Sequence, residues 1–487
     1  MTDSPPPVRF DEARQHAFLM ARTVAEQGFD TLLVRDTLGR FSLIVDDAGK
    51  SGVEGLQGAW EREAEQRLGP YRSDQAVLLT SEMFSAGALL NSPRATADES
   101  FNTRSPGSVR FLDNTVVGED WARVSDPVEV SGDGGRAHRT ALYGFKGGVG
   151  RTTAMAMLAR RLADRGHAVL VVDLDLESPG AGPLLMGRDL PPHGLVDHLV
   201  ESGLGNADGL DLVVRSPYKP PRATEGQTGE FGELWVAPAR GQGTEDTPYS
   251  YVDKLNRVYT DTADATFAER LEQAVRACED AVERVSDTGR RPDVVLLDSR
   301  AGIHDVAAVA ISRLCDLALL FGSDNEQTWA GYGDLFTAWQ SSGQAARIRE
   351  RLRMVASMVP DSVHHTMETY LERFRGRAHE CFEVLYDEVE AYGEDEESSK
   401  DEPDGDGPGE SEAATELPFA PGRHEEWAPH WAIPILFEPG LVGMDASNAP
   451  GWQDRAFVQA AYGEFLKEAT ELIENALPAR EGREGRG

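Results

Sequence analysis

Between Tyr143 and Thr153 the chain reads Tyr-Gly-Phe-Lys-Gly-Gly-Val-Gly-Arg-Thr-Thr. A short apolar run, Thr140 to Tyr143, precedes it, and a stretch with helical apolar spacing, Ala154 to Ala163, follows. Strand, glycine-rich turn and helix, in that order, form the setting a phosphate-binding loop requires. Missing Cβ atoms let backbone N–H groups close on phosphate oxygens, and the positive end of the helix adds attraction for the anion. Thr152 supplies the hydroxyl that such loops place on Mg²⁺.

Residues Lys146 to Thr153 resemble the signature Lys-Gly-Gly-x-Gly-Lys-Thr-Thr of the ParA/MinD-type ATPases, P-loop proteins with a deviant Walker A loop. One position departs: Arg151 stands where the family has the lysine that reaches the β and γ phosphates. Arginine keeps the charge and forks onto phosphate oxygens, but is bulkier and stiffer than a lysine point charge. Phe145 replaces the glycine of the general Walker A pattern, a position where the family tolerates other residues. The resemblance implies ATP and Mg²⁺ as cofactors, with the backbone of Gly147, Gly148, Val149, Gly150, Arg151, Thr152 and Thr153 cradling the phosphates. It also implies that Lys146 reaches the partner's nucleotide across a homodimer formed on ATP binding. With Arg151 in the loop, nucleotide binding is expected to outlast fast turnover, so any ATP hydrolysis is expected to be slow.

Two further motifs follow in family order. The continuous apolar run Ala168 to Val172 leads into Asp173-Leu-Asp175-Leu-Glu177, as a buried parallel strand that ends in a ligand crevice would. The resemblance makes Asp175 the residue that orients the attacking water; Asp173 either supports the magnesium shell or caps the following turn. The run Asp293-Val-Val-Leu-Leu-Asp298 has the Walker B pattern, whose last carboxylate, Asp298, faces the Mg²⁺ water shell. Gly302 matches the family's Asp-x-Pro-x-Gly and is expected to offer its N–H to the γ phosphate. Arg300 replaces the proline; it either stabilises transferring charge or pairs with a local carboxylate. Ser357-Met-Val-Pro stands where the family often carries an adenine-reading asparagine, and no Asn-Lys-x-Asp guanine motif occurs, which favours ATP.

The expected fold is α/β, a mostly parallel sheet with helices on both faces of the P-loop NTPase kind, preceded by a small α+β domain. Residues 1–124 form that first, interaction domain, with Thr31 to Val34 and Phe41 to Val45 joined as a hairpin. Residues 125–137 are a polar, glycine-rich linker. Residues 138–476 are the ATPase domain, with a helical insertion at 363–392, an acidic segment at 393–417 expected to be disordered, and a flexible tail at 477–487. Leu210 to Val214 and Leu234 to Val236 are predicted strands, and the region 181–259 has no assigned role.

The net charge of −35 argues against duplex DNA or an anionic membrane as the main partner. Glutamates on the polar side of the last helix, Ala456 to Ala476, argue for packing on the domain rather than on a bilayer. The three cysteines lie scattered with no CxxC pair, and no apolar stretch is long enough to span a membrane, so a cytoplasmic location is expected. Adjacent His364 and His365 are poorly spaced for joint metal ligation. Three functions remain: a nucleotide-dependent dimeric switch that controls an unidentified protein partner through the first domain, a nucleotide-sensing scaffold with negligible hydrolysis, and a chromosome or plasmid partitioning ATPase.

Overall fold

The computed structural model describes residues 8, 10–36, 39–50, 52–84, 86–114, 119–125, 136–186, 190–220, 232–243, 249–262, 264–387, 418–441, 451 and 454–478. The chain divides into two units, Met1–Val117 and Gly118–Gly487. The expected acidic segment, most of the linker and nearly all of the tail lie outside the described residues.

In the first unit five strands, β1 (Asp30–Arg35), β2 (Phe41–Asp46), β3 (Arg72–Leu79), β4 (Thr96–Ala97) and β5 (Val109–Asp113), pair in the order β3-β2-β1-β5-β4. β1 and β2 form the expected antiparallel hairpin, while β1 pairs with β5 and β2 with β3 in parallel. Strand alternation sends Leu33, Leu43 and Val45 to the face covered by helices Phe10–Glu26 and Val53–Leu68, where Met20, Val24 and Trp60 complete a core. Leu32, Ile44 and Leu112 form a smaller cluster on the opposite face.

Eight strands build the sheet of the second unit: β6 (His138–Gly144), β7 (Ala168–Asp173), β8 (Val214–Arg215), β9 (Glu233–Ala237), β10 (Val294–Asp298), β11 (Leu317–Gly322), β12 (Leu352–Val359) and β13 (Ile433–Leu436). Their order is β13-β12-β11-β6-β10-β7-β9-β8, all parallel except the short edge strand β8. Every residue of β6, β7 and β10 is buried, because helices cover both faces and leave no side of these strands to water. One face carries Leu271, Val275, Phe336 and Trp339; the other carries the loop helix Arg151–Asp164 and the last helix, Ala456–Ala476.

Three expectations change. Trp121 and Val124, placed at the end of the first domain, are buried in the core of the second unit, and the Trp121 ring lies 5.8 Å from Tyr143 and 6.0 Å from Trp339. The division therefore falls at 117/118, since an apolar pair this close to the sheet belongs with the core it fills. The predicted strand Leu210 to Val214 reduces to Val214–Arg215 on the sheet edge. Of the helical segment expected across 363–392, the helix covers Met367–Phe382, with Leu371, Phe374, Ala378 and Phe382 buried in the main core, while residues 388–392 lie outside the described residues.

Candidate functional site

β6 delivers the glycine loop at the centre of the sheet, between β10 and β11. The loop backbone turns through two left-handed positions, Gly148 at φ 78° and Gly150 at φ 76°, which only glycine adopts without strain. A Cβ on Gly147 or Gly148 would meet nothing within 4 Å, so the loop opens toward solvent there. On the inner side, Phe145 packs on helix Glu326–Ser341 so closely that a Cβ on Gly331 would lie 2.3 Å from its ring. That packing accounts for an aromatic residue at a position the general pattern gives to glycine.

Above the loop lies a cavity of about 530 Å³ lined by Gly147, Gly148, Val149, Gly150, Arg151, Thr152 and Thr153, with Asp175, Ser178, Arg300 and Ala301 opposite. The sequence reading missed Ser178 and Ala301, which carry no motif signal. Val149 contributes backbone only, because its side chain is buried in the core. Lys146 is exposed on the rim and does not line the cavity.

Arg151 does not extend into open solvent. Its guanidinium is buried, with Nε donating to Asp298 Oδ1 at 3.0 Å and Nη2 to Asp175 Oδ2 at 3.4 Å. Asp298 is fully buried and its second oxygen, Oδ2, has no hydrogen-bond partner. Because β7 and β10 run in register, Asp173 sits directly beside Asp298. The Asp173 carboxylate accepts N–H groups from Asp175, Gly180 and Ala181 at 3.2, 3.0 and 3.0 Å. Of the two roles weighed for Asp173, these bonds correspond to capping the turn after β7. Burial, then the charge of Asp298, push the Asp173 carboxyl well above the usual carboxylate range. Asp175 is also raised, mainly by burial, with Arg151 opposing.

Gly302 departs from expectation. Its N–H donates to Gly144 O at 3.3 Å and its carbonyl accepts from Tyr143 Oη at 3.2 Å, so the segment after β10 is tied to β6 and the amide assigned to γ phosphate is already committed. Arg300 lies at the cavity with Nη1 2.6 Å from Glu177 Oε2, the local-carboxylate alternative. Glu177 in turn accepts a hydrogen bond from Tyr259 Oη and lies 3.4 Å from His304 Nε2. Glu177 is the third acid of the alternating run Asp173, Asp175, Glu177, a periodicity that could have marked it. Ser357 is buried, and Met358 beside it takes φ 57° where β12 slips register against β13. Neither residue lines the cavity.

Among the described residues no group of three or more His, Cys, Asp or Glu side chains is arranged to hold a metal. Thr152, which lines the cavity, and the unpartnered Asp298 Oδ2 are the protein groups that would suit a magnesium ion brought in with phosphate. No helix of the described residues is long and apolar enough to cross a membrane.

Residues 140–182, the segment from β6 through the loop helix to Asp173 and the turn it caps, match the family profile described as the CobQ/CobB/MinD/ParA nucleotide binding domain. No curated protein matches the chain. Among solved structures, the MinD cell division protein of Aquifex aeolicus is 15% identical, covering 70% of this chain and 99% of that one at a TM-score of 0.38. The septum site-determining protein MinD of Pyrococcus horikoshii OT3, complexed with Mg-ADP, is 15% identical over 69% of this chain and 97% of that one at 0.39. Cobyrinic acid a,c-diamide synthase of Mycobacterium smegmatis, with bound ATP analog and magnesium, is 18% identical over 50% and 83% at 0.34. At such TM-scores these likenesses add no weight of their own. The matched segment, the loop between strand and helix, and the Walker B aspartate on the neighbouring strand agree: the second unit has a P-loop α/β fold, and its residues 140–182 are similar to the CobQ/CobB/MinD/ParA nucleotide binding domain.

Proposed function

We propose that the second unit binds Mg²⁺-ATP over the glycine loop and acts as a nucleotide-dependent dimeric switch that controls a protein partner through the first unit. The observation that carries this reading is the cavity over the loop, lined by backbone from Gly147 to Thr153 and faced by Asp175 and Arg300. Backbone amides there hold the triphosphate and Arg151 neutralises it, while Arg300, paired with Glu177, lies on the opposite wall. Thr152 and Asp298 would hold the metal. Magnesium, when bound, screens the phosphate charge. Asp175, half-buried with a raised carboxyl, orients the hydrolytic water as a weak base. Lys146, exposed on the rim, is free to reach a partner protomer's nucleotide, which supports dimerisation on ATP binding.

Calorimetry of the purified chain with ATP and Mg²⁺ tests the proposal; absence of heat at millimolar nucleotide would sink it. Chromatography with and without a non-hydrolysable analogue tests the dimer, and an unchanged monomer counts against it. Duplex DNA is expected to bind weakly because the chain carries a net charge of −35. A salt-sensitive mobility shift would instead favour a partitioning role.

A second reading, a nucleotide sensor with negligible hydrolysis, is favoured by the engagement of Arg151 with Asp298 and Asp175. Phosphate release separates the two. If wild type stays at background while Arg151→Lys is far faster, the sensor reading stands. If wild type turns over and Lys146→Ala abolishes it, the switch does.

A further inference from the structure

The residues that suit a divalent cation in this site are already served by a cation belonging to the chain. Arg151 is buried between Asp298 and Asp175, with hydrogen bonds to them at 3.0 and 3.4 Å. Asp298 is fully buried, with Oδ1 taken by Arg151 and Oδ2 without a partner. Asp173, paired in register beside it, has its own oxygens occupied by backbone N–H groups.

We propose that Arg151 is a tethered counter-ion that keeps a site for a small divalent cation, formed by Asp298 and the Thr152 hydroxyl, closed until nucleotide phosphate draws the guanidinium away. This rests on the nucleotide reading and adds an order to it: the bare cation is refused, and the cation and the phosphate enter together. The physical argument is one of charge and shape. A divalent ion approaching Asp298 meets a fixed positive charge in a water-poor site, and displacing it leaves that charge buried without a carboxylate. A phosphate group in the cavity reverses the balance, because the planar fork pairs with two phosphate oxygens as well as it pairs with carboxylates. Both oxygens of Asp298 then become available at the same moment as the phosphate oxygens that complete a magnesium shell. A lysine at this position, a point charge on a flexible stem, would hold one carboxylate at a time and close the site less completely.

The test uses the full chain without nucleotide and Mn²⁺ as probe, with the bound ion counted by electron paramagnetic resonance and the fold followed by circular dichroism. Wild type is expected to bind no Mn²⁺ at this site at low millimolar concentration. Arg151→Met, which keeps the apolar stem and removes the charge, is expected to gain one site at least tenfold tighter. That gain should vanish in Arg151→Met combined with Asp298→Asn, which separates it from diffuse binding to an acidic chain. Mn²⁺ should raise the melting temperature of Arg151→Met and leave wild type unmoved. Wild type binding Mn²⁺ alone as tightly as Arg151→Met overturns the proposal, as does a gain that survives Asp298→Asn. Should Arg151→Met not fold, Arg151→Lys serves, with a smaller gain expected and no gain overturning. Failure of the nucleotide reading shows separately, as loss of ATP heat in wild type.

Discussion

Arg151 and the carboxylates around it concentrate the chemistry of this chain into a few side chains, and their energies follow from burial. Removing one partner of a buried ion pair leaves the other charge uncompensated, so Arg151→Met should cost about 3 kcal/mol in urea unfolding without nucleotide. A cost near zero would mean the pair is not held as described. Asp173 gives a pH signature. Its carboxyl is raised in the folded chain, so the stability it contributes is full below the unfolded value of about 3.9 and is lost as pH climbs through the folded value. Asp173→Asn should therefore flatten the fall in melting temperature above about pH 4, whereas a fall unchanged from wild type would clear Asp173 of causing it. At Gly331 the argument is steric. An added methyl would sit 2.3 Å from the Phe145 ring, so Gly331→Ala should destabilise by about 1–3 kcal/mol in thermal melts.

Among the elements, the segments after β7 and β10 are joined across the cavity by Glu177 and Arg300, and both are fastened to the region 181–259 that had no assigned role. Tyr251 Oη donates to Leu176 O at 2.5 Å and Tyr259 Oη donates to Glu177, so the helix Tyr251–Val258 is clasped at both ends to the turn that carries Asp175. Burial and the nearby acids push both phenols far above their ordinary range, which keeps them protonated as donors. If Arg300 contacts phosphate, Arg300→Ala should weaken ATP binding about tenfold or more by calorimetry, since a hydrogen bond to a charged group is worth about 1.5–3 kcal/mol. Equal affinity for the two proteins would leave Arg300 a local partner of Glu177 only. The last helix, Ala456–Ala476, packs Phe465 on Phe321 of β11 with centroids 5.8 Å apart. Its tyrosine Tyr462, whose phenol burial raises to about 12, lies under the loop at Gly150.

For the whole molecule the net charge of −35 sets the terms of association. Two copies repel at long range, and salt screens that repulsion within about 10 Å at 0.1 M. If nucleotide drives dimerisation, the dimer should strengthen as ionic strength rises from 0.02 to about 0.2 M, measured by analytical ultracentrifugation with a non-hydrolysable analogue. Weakening over that range would point to an interface built on opposite charges instead.

The glycine loop, its strand and helix, the Walker B aspartate and the parallel sheet were legible from residue order alone, because each depends on local chemistry: left-handed glycines, buried apolar runs, a carboxylate at a strand end. Residue order also carried the acids Asp173, Asp175 and Glu177 without saying which of them is satisfied within the chain. Only the tertiary structure decided that Asp173 spends its oxygens on backbone amides, that Gly302 spends its N–H on Gly144, and that Arg151 spans from the loop to two different strand ends. Those outcomes depend on strand register and on distances between segments far apart in sequence, which no local pattern encodes.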